Sequence, residues 1–348
     1  MEGTQERNYG VNKYIDTIVY AGRIKDDEVL LKSSSGGAFT VLSNHFLNKG
    51  NAVIASVYNY TNHSAEYRLI LSSQDRNLAL GSKYMQSKLG CIFKVANDWL
   101  RDNPGKLLLF VGMGCQADGF RRYAESVGIR ERTCIVDIVC HGSPSPKLWR
   151  EYAELLEHRY SGKISYLTFK DKRYGWKSPS AFAYIDEKEI AIDDYVKVFY
   201  SQCALRPSCH ECPYATTERK TDLTIGDFWH IEKTIPKFYD PNGNSLFLIH
   251  TDRGERVFDS IKNNLDYCLS DTKQCWQKNL EAPTPVSEQR HEFWLDYQKE
   301  GIEFIMRKYG RLPFKTRVKK NILKIVRGGV LTSNSISCYA DYSERRAA

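Results

Sequence analysis

The N-terminal half of the chain alternates short, continuously apolar runs with stretches in which apolar residues recur every three or four positions. The first pattern predicts buried strands, and the second predicts amphipathic helices. The predicted strands are Thr17–Tyr20, Asn51–Tyr58, Leu107–Val111 and Cys134–Val139, and the predicted helices follow the loop Lys32–Gly37 and cover Ile92–Leu100 and Gln116–Ser126. Strands that alternate with helices predict an α/β fold, in which helices flank a mainly parallel sheet.

The pattern changes near Gly162 to short strand candidates, and helices return after Glu255. These strand candidates are Ile164–Phe169, Ala181–Ile185, Leu223–Ile225 and Leu246–His250. We therefore predict a second, α+β lobe. The predicted division is an α/β N-terminal lobe over residues 17–160, an α+β C-terminal lobe over residues 161–310 and a basic amphipathic tail over residues 311–348.

The predicted tail carries most of the excess positive charge of the chain. Between Arg311 and Val330 there are seven Lys or Arg residues and no acidic residue, against a net charge of +8 for the whole chain. Apolar residues share one face of the predicted helix, namely Phe314, Val318, Ile322, Leu323 and Val326. Such a helix can make peripheral contact with an anionic membrane or pack on the body with its charges solvated. The nearly neutral remainder predicts no nucleic-acid partner.

The N-terminus reads MEGTQERNYG, which lacks the basic start and apolar run of a secretory signal, and no apolar run reaches membrane-spanning length. We therefore expect a cytoplasmic protein. The ten cysteines of the chain would stay reduced there, so clustered cysteines are better interpreted as metal ligands or redox groups than as disulfides.

The densest cysteine pattern is CALRPSCHECPYA, in which Cys209 and Cys212 form a C-x-x-C followed by proline. Two thiolates do not complete a site. Cys115 and Cys140 each follow an apolar strand, where a loop can hold a thiolate at the sheet edge, and they are the best further ligands. The five cysteines without such neighbours, Cys91, Cys134, Cys268, Cys275 and Cys338, are interpreted as small buried residues. Spacing alone leaves an iron–sulfur cluster and zinc both open, because His141, His210 and His230 lie near these cysteines.

Three glycine-bearing segments are candidates for binding a phosphate-containing cofactor. Gly112–Ala117 formally matches the dinucleotide pattern G-x-G-x-x-A, with Asp137 in the next strand, which keeps a nicotinamide cofactor as an alternative. The KSSSGG loop precedes a helix and offers Ser33, Ser35, Gly36 and Gly37, and the GSKY loop offers Gly81, Ser82, Lys83 and Tyr84. Backbone N–H groups in such loops suit a phosphate, although an N-capped turn without a ligand explains them equally well.

Seven segments in order resemble the coenzyme F-420 hydrogenase/dehydrogenase beta-subunit family. They span roughly Tyr20 to Tyr309 and read SSSGGAF, GSKYMQS, FVGMGCQ, DIVCHGSPSPKLW, FKDKRYGW, LRPSCHECPYA and ERKTDLTIGDFW. The resemblance implies a flavin-dependent oxidoreductase that passes electrons between FAD and a 4Fe-4S cluster. It implies Cys115, Cys140, Cys209 and Cys212 as cluster ligands, with Cys203 outside the set, and the SGG and GSKY segments near the flavin.

The sequence departs from many members of this family in lacking an N-terminal ferredoxin-like module, since its first cysteine is Cys91. One cluster is therefore expected, with electrons exchanged through an external ferredoxin- or flavodoxin-like carrier. Short bacterial relatives accompany polysaccharide-biosynthesis genes, but the organic substrate is not named by the sequence. The candidates for a catalytic acid or base are His141, Lys83 and Lys172. The alternatives are a zinc-stapled structural or interaction module and a non-catalytic relative that keeps the fold.

Overall fold

A computed structural model describes residues 13–177 and 180–311 of the chain. The strands are β1 (Tyr14–Ile24), β2 (Ala52–Asn59), β3 (Ser64–Ile70), β4 (Leu108–Met113), β5 (Thr133–Ile138), β6 (Ile164–Asp171), β7 (Ser180–Ile185), β8 (Lys188–Ala191), β9 (Leu223–Asp227), β10 (Ser245–Thr251) and β11 (Leu265–Ser270). The helices are α1 (Asp27–Lys32), α2 (Ala38–Leu47), α3 (Ser73–Asn77), α4 (Ile92–Asp102), α5 (Gly114–Ser126), α6 (Pro146–Tyr160), α7 (Asp193–Tyr200), α8 (Ile231–Thr234), α9 (Asp252–Ile261) and α10 (Arg290–Tyr309).

Eight strands form one large sheet in the order β11-β1-β10-β9-β5-β4-β2-β3. The four inner strands β2, β4, β5 and β9 are parallel, and antiparallel strands extend the sheet on both sides. Helices cover both faces, so the inner strands are continuously apolar, as Leu108, Leu109 and Phe110 of β4 illustrate by being wholly buried. The predicted α/β class, with a large mainly parallel central sheet flanked by helices, is confirmed.

A second, antiparallel sheet of β6, β7 and β8 packs with α6, α7 and α10 around its own apolar core. Fully buried Trp149 and Tyr195 lie at the centre of this core, 4.7 Å apart between ring centroids. The small sheet therefore matches the short strands predicted after Gly162.

The strands predicted at Leu223–Ile225 and Leu246–His250 form, as β9 and β10, but they belong to the large sheet and not to the second lobe. β9 pairs in parallel with β5, and β10 pairs with β9 and β1. The expectation was wrong on this point because an apolar run predicts a buried strand without indicating its partner.

The basic tail lies outside the described residues except for Arg311, and the membrane interpretation of residues 311–348 stays a prediction. Over residues 13–177 and 180–311, no helix combines the length and apolar character that crossing a bilayer requires.

Candidate functional site

The candidate site lies where the parallel strands β4, β5 and β9 end at one edge of the large sheet. β5 and β9 pair Ile138 with Ile225, and the Val139 N–H continues this ladder to the Ile225 carbonyl at 2.9 Å. Cys140 lies two residues after Ile138, and Asp227 lies two residues after Ile225. Because neighbouring strands lie about 4.8 Å apart, these two residues end adjacent strands side by side.

A cavity of about 630 Å³ opens above this edge. This volume falls in the range of about 300–1,000 Å³ that is typical of cofactor and small-molecule sites. Both loops predicted near a cofactor contribute to its wall, and so do the strand ends and an aromatic group. Its lining includes Ser34, Ser35, Gly81, Ser82, Lys83, Tyr84, Met113, Cys140, His141, Lys170, Phe199, Tyr200, Asp227 and Trp229.

The four predicted cluster cysteines come together at one corner of this site. Burial, followed by the charges of Cys212 and Cys209, raises the pKa of the Cys115 thiol. Burial is also the largest cause that raises the pKa of Cys140 to about 12, and Cys209, Cys115 and Cys212 add to it. Cys115 and Cys140 therefore each lie within electrostatic reach of Cys209, Cys212 and each other. Cys140 is the member that also lines the cavity. Cys115 keeps an exposed surface as a residue, although its thiol is partly shielded from solvent by the corner.

The local placement of Cys115 differs from the prediction. The predicted strand ended at Val111 and the predicted helix began at Gln116, but β4 continues to Met113 and α5 begins directly at Gly114. Cys115 therefore lies in the first turn of a helix. Tyr214, two residues after Cys212, packs over Gly114, where a Cβ would lie 2.9 Å from the Tyr214 Cβ. Its hydroxyl donates to Asp118 of α5 at 2.9 Å. This contact joins the C-x-x-C segment to the helix that carries Cys115.

A buried ion pair joins the same segment to β5. Arg219 Nη1 lies 3.1 Å from Asp137 Oδ2, and the two side chains are 2% and 1% exposed. The guanidinium also donates to the Ile138 carbonyl at 3.3 Å and to the Thr216 carbonyl at 3.0 Å. The sequence pattern did not identify this pair, which fixes the segment after Cys212 beside the strand that leads to Cys140.

Thr284 holds the loops of Cys140 and Cys209 together from the other side. Its hydroxyl donates to the His141 carbonyl at 2.5 Å, and its own carbonyl accepts from His210 Nδ1 at 2.9 Å. Since a carbonyl can only accept, Nδ1 of His210 carries the hydrogen. Thr284 therefore holds the backbone of His141 and the imidazole of His210. Nε2 of each ring is buried without a hydrogen-bond partner among the described residues, and His141 also lines the cavity, so its role as an acid or base stays a prediction.

The contacts of Cys203 differ from those of the four-cysteine corner. It is wholly buried, and its thiol donates to Ser287 Oγ at 3.3 Å. Cys134 and Cys275 are buried as expected, but Cys268 is only partly buried and Cys91 is exposed. The expectation that Cys268 and Cys91 are buried was therefore wrong. Cys268 lies on the edge strand β11, and Cys91 lies directly before the first residue of α4. Cys338 lies outside the described residues.

Within residues 13–177 and 180–311, no three His, Cys, Asp or Glu side chains converge closely enough to hold a single metal ion. A zinc site requires its ligand atoms at about 2.0–2.3 Å from one centre. An iron–sulfur cluster distributes its thiolate bonds over several iron atoms, so it needs four sulfurs around a volume. The four-cysteine corner fits the second requirement in its donor type and number.

The two predicted cofactor loops differ in what they offer to a ligand. Ser33 is buried, with its hydroxyl 2.7 Å from that of Thr40. Ser35 adopts a left-handed conformation with φ of 52°, and its hydroxyl donates to Asp227. A Cβ at Gly36 would overlap the Gly22 carbonyl and the Ser245 backbone nitrogen. Gly36 is therefore required for packing against β1 and β10, and its role beside a cofactor phosphate stays a prediction.

Gly37 and Gly81 are required for their backbone conformations, with φ of 84° and 78°. Nothing lies within 4 Å of a Cβ placed on Gly81, so its loop leaves open space on the cavity side. Positive φ values of this size favour glycine because other residues meet a steric penalty. Of the predicted glycines, Gly81 therefore best matches a close approach by a ligand.

Two lysines named as candidates donate to backbone carbonyls. Lys83 Nζ donates to the carbonyls of Ala79, Leu80 and Gly81 at 2.8, 3.0 and 3.0 Å, which uses all three hydrogens of an ammonium group. Burial lowers the pKa of Lys83 to about 7, whereas three carbonyl acceptors favour the charged form. These three hydrogen bonds assign Lys83 to closing its own loop.

Lys172 donates to the carbonyls of Leu30 at 2.8 Å and Ser35 at 2.5 Å, and it therefore supports the KSSSGG loop. Burial, followed by the charge of Lys170, lowers the pKa of Lys172 to about 7. Lys172 is absent from the cavity lining. Its contacts indicate that it positions Ser35.

The dinucleotide alternative at Gly112–Ala117 conflicts with the contacts of its key residues. Asp137, which would bind a ribose, is wholly buried and paired with Arg219. Gln116 accepts a hydrogen bond from the Tyr67 hydroxyl and donates to the Ser87 carbonyl, both at 2.8 Å. A Cβ on Gly112 would overlap the Tyr67 hydroxyl. This turn is filled by protein atoms, so the nicotinamide interpretation was wrong.

A polar group around Asp227 was missed by the sequence reasoning. Asp227 accepts hydrogen bonds from Ser35 Oγ and from Trp176 Nε1 at 2.9 Å, and it pairs with Lys170. Trp176 stacks on Trp229 with ring centroids 5.2 Å apart. These residues lie in the FKDKRYGW and DFW segments, so the resemblance could have drawn attention to them, but no local pattern indicated their contact.

The protein family whose model matches this chain is the C terminus of the coenzyme F420 hydrogenase/dehydrogenase beta subunit, and the match covers residues 105–274. No curated protein matches the chain. Among solved structures, a chain of the F420-reducing [NiFe] hydrogenase complex from Methanosarcina barkeri is similar at 16% identity and a TM-score of 0.49, covering 87% of this chain and 94% of that chain. The matched residues contain all four cysteines of the corner, both partners of the Arg219–Asp137 pair, and Lys170 with Asp227. The match over residues 105–274 supports the resemblance of this chain to the coenzyme F420 hydrogenase/dehydrogenase beta-subunit family.

Proposed function

We propose that this chain is an iron–sulfur flavoprotein oxidoreductase. In this proposal a 4Fe-4S cluster is held by Cys115, Cys140, Cys209 and Cys212, and FAD occupies the cavity. The matched family is one of hydrogenase and dehydrogenase subunits, which supports an oxidoreductase role, and the two cofactors are the finer part of the proposal.

The observation that carries the proposal is the position of Cys140. Its thiol is electrostatically coupled to those of Cys115, Cys209 and Cys212, and its residue also lines the cavity. A cluster bound there would lie against whatever occupies the cavity, with one ligand residue between them. Such proximity suits one-electron transfer between two redox groups.

FAD suits the cavity for three reasons that concern its wall. Ser34 and Ser82 provide hydroxyl groups, and the open side of Gly81 leaves room for a phosphate. The aromatic part of the wall offers faces to a flat ring. Tyr84 stacks on Phe199 at 4.4 Å, and its hydroxyl lies 3.1 Å from that of Tyr200. When bound, FAD would exchange hydride with an organic substrate, while the protein orients it and tunes its potential.

The experiment that tests this proposal is cofactor analysis of the full chain purified without oxygen. We expect a brown protein with about four iron atoms and four sulfides per chain, together with FAD released by acid. Metal analysis that returned one zinc ion and no iron would contradict the cluster, and the absence of any flavin would contradict the occupant of the cavity.

Because the proposal contains one cluster, it also includes an external carrier that exchanges electrons with that cluster. Cys115 is the exposed member of the four-cysteine corner. A carrier could therefore approach the cluster from that side without entering the cavity.

A further inference from the structure

Lys170 differs from Lys83 and Lys172 in what its ammonium group contacts. Its side chain is 8% exposed and lines the cavity. Among residues 13–177 and 180–311, Asp227 is its one hydrogen-bond acceptor. An ammonium group carries three N–H donors. The N–H donors of Lys83 and Lys172 bind backbone carbonyls, whereas Lys170 has further N–H donors that can bind a ligand in the cavity.

Lys170 is one of the groups that favour the charged form of Asp227. Burial acts to raise the pKa of Asp227, but Lys170 and the hydrogen bonds from Ser35 and Trp176 lower it overall. On its other side, the Lys170 ammonium lies 5.2 Å from the centre of the Trp229 ring. The charge on Lys170 is therefore supported by a carboxylate and an aromatic face while part of it stays directed at the cavity.

The ion pair also lies next to the cysteine corner. Asp227 ends β9 beside Cys140, which follows β5, and a Cβ on Gly226 would lie 2.8 Å from Val139 Cγ2. A redox ring that exchanges electrons with a cluster at Cys140 must lie at this part of the cavity. That places the ring, rather than a distant phosphate, beside the Lys170 ammonium.

We propose that Lys170 contacts the electron-accepting ring of the bound flavin and raises its reduction potential. This inference rests on the proposed function and names a residue for it. A hydride taken from the substrate brings two electrons and one proton, so the substrate is oxidised and the ring gains one negative charge. A fixed cation beside the ring favours that charged state, because charge near the ring nitrogens tunes its electronics.

The test compares Lys170→Met with the wild-type chain and with Lys163→Met as a matched control. Lys163 precedes the same strand β6 and is 86% exposed. Seven residues of strand separate the two positions by about 23 Å. For each full-length protein, the measurements are FAD per chain, the midpoint potential of the flavin and the affinity for sulfite, which adds to the ring and makes it anionic.

We expect Lys170→Met to bind FAD, to bind sulfite about tenfold more weakly and to lower the two-electron potential by about 30 mV, which is a tenfold change in equilibrium constant. Lys163→Met should match the wild type. FAD bound with an unchanged potential and sulfite affinity would overturn the inference and leave the proposed function standing. A folded Lys170→Met chain that lost FAD would also overturn it, by placing Lys170 on a phosphate.

A wild-type chain without FAD would overturn the proposed function itself. If Lys170→Met does not fold, as judged by its thermal transition, Lys170→Gln replaces it, because glutamine can still donate to Asp227 without a charge. The same tenfold loss of sulfite affinity is expected there, and wild-type affinity in Lys170→Gln would contradict the role of the charge.

Discussion

Replacing Arg219 with methionine tests how the cysteine corner is held. The change leaves Asp137 as a wholly buried carboxylate without its guanidinium partner, and it removes donors to the carbonyls of Ile138 and Thr216. Breaking a buried pair in this way costs about 3–5 kcal/mol. Because a domain is stable by only about 5–15 kcal/mol, the free energy of unfolding should fall by a large fraction.

Urea unfolding followed by tryptophan fluorescence measures this loss, with Arg122→Met as the control. Arg122 also pairs with a carboxylate, Asp118, but its side chain is 71% exposed, and such surface pairs contribute about 0–1 kcal/mol. The double variant Asp137→Asn/Arg219→Met should recover at least half of the loss, since no unpaired charge is then buried. A loss below about 1 kcal/mol for Arg219→Met, or no recovery in the double variant, would refute the reasoning.

Three further outcomes are expected. Burial, with the charge of Arg219 as a lesser cause, lowers the pKa of His250 to about 3, so between pH 6.5 and 3 this residue binds a proton only in the unfolded chain. Lowering the pH from 6.5 to 5 should therefore reduce the free energy of unfolding by about 2 kcal/mol. Urea titrations of His250→Gln should lack this part of the pH dependence. Gly36→Ala should lower the thermal transition of the whole chain and reduce iron and flavin together, whereas loss of flavin alone from a chain of wild-type stability would argue against the packing role of Gly36. Deleting the residues after Pro313 should slow reduction of the protein by an acidic ferredoxin or flavodoxin and weaken the salt dependence of that rate, because the tail is the most basic part of the chain. Iron and FAD should both be retained. An unchanged rate and an unchanged salt dependence would contradict a role of the tail in docking the carrier.

The sequence predicted those features of the site that local patterns determine. Cys115 and Cys140 were placed at one edge because both follow continuously apolar strands, and the carboxyl ends of parallel strands meet. The C-x-x-C at Cys209 and Cys212 predicted a pair of thiolate ligands from the sequence alone. The family resemblance then grouped these four residues, and the structure brings them within electrostatic reach of one another.

Contacts between distant segments could not be predicted in the same way. Lys170 and Asp227 are 57 positions apart, and Arg219 and Asp137 are 82 apart. A charged residue in a sequence looks exposed unless its partner is known, so neither pair was identified. The packing role of Gly36 was not predicted either, because a glycine-rich loop indicates a phosphate site and close backbone packing equally well.

The most direct test of the account is the iron content of two cysteine variants purified without oxygen. Cys140→Ser removes the residue that links the four-cysteine corner to the cavity, and Cys203→Ser changes a buried thiol whose contact is Ser287. We predict that Cys140→Ser loses the cluster, while Cys203→Ser retains about four iron atoms per chain. Full iron in Cys140→Ser together with loss of iron in Cys203→Ser would contradict the account.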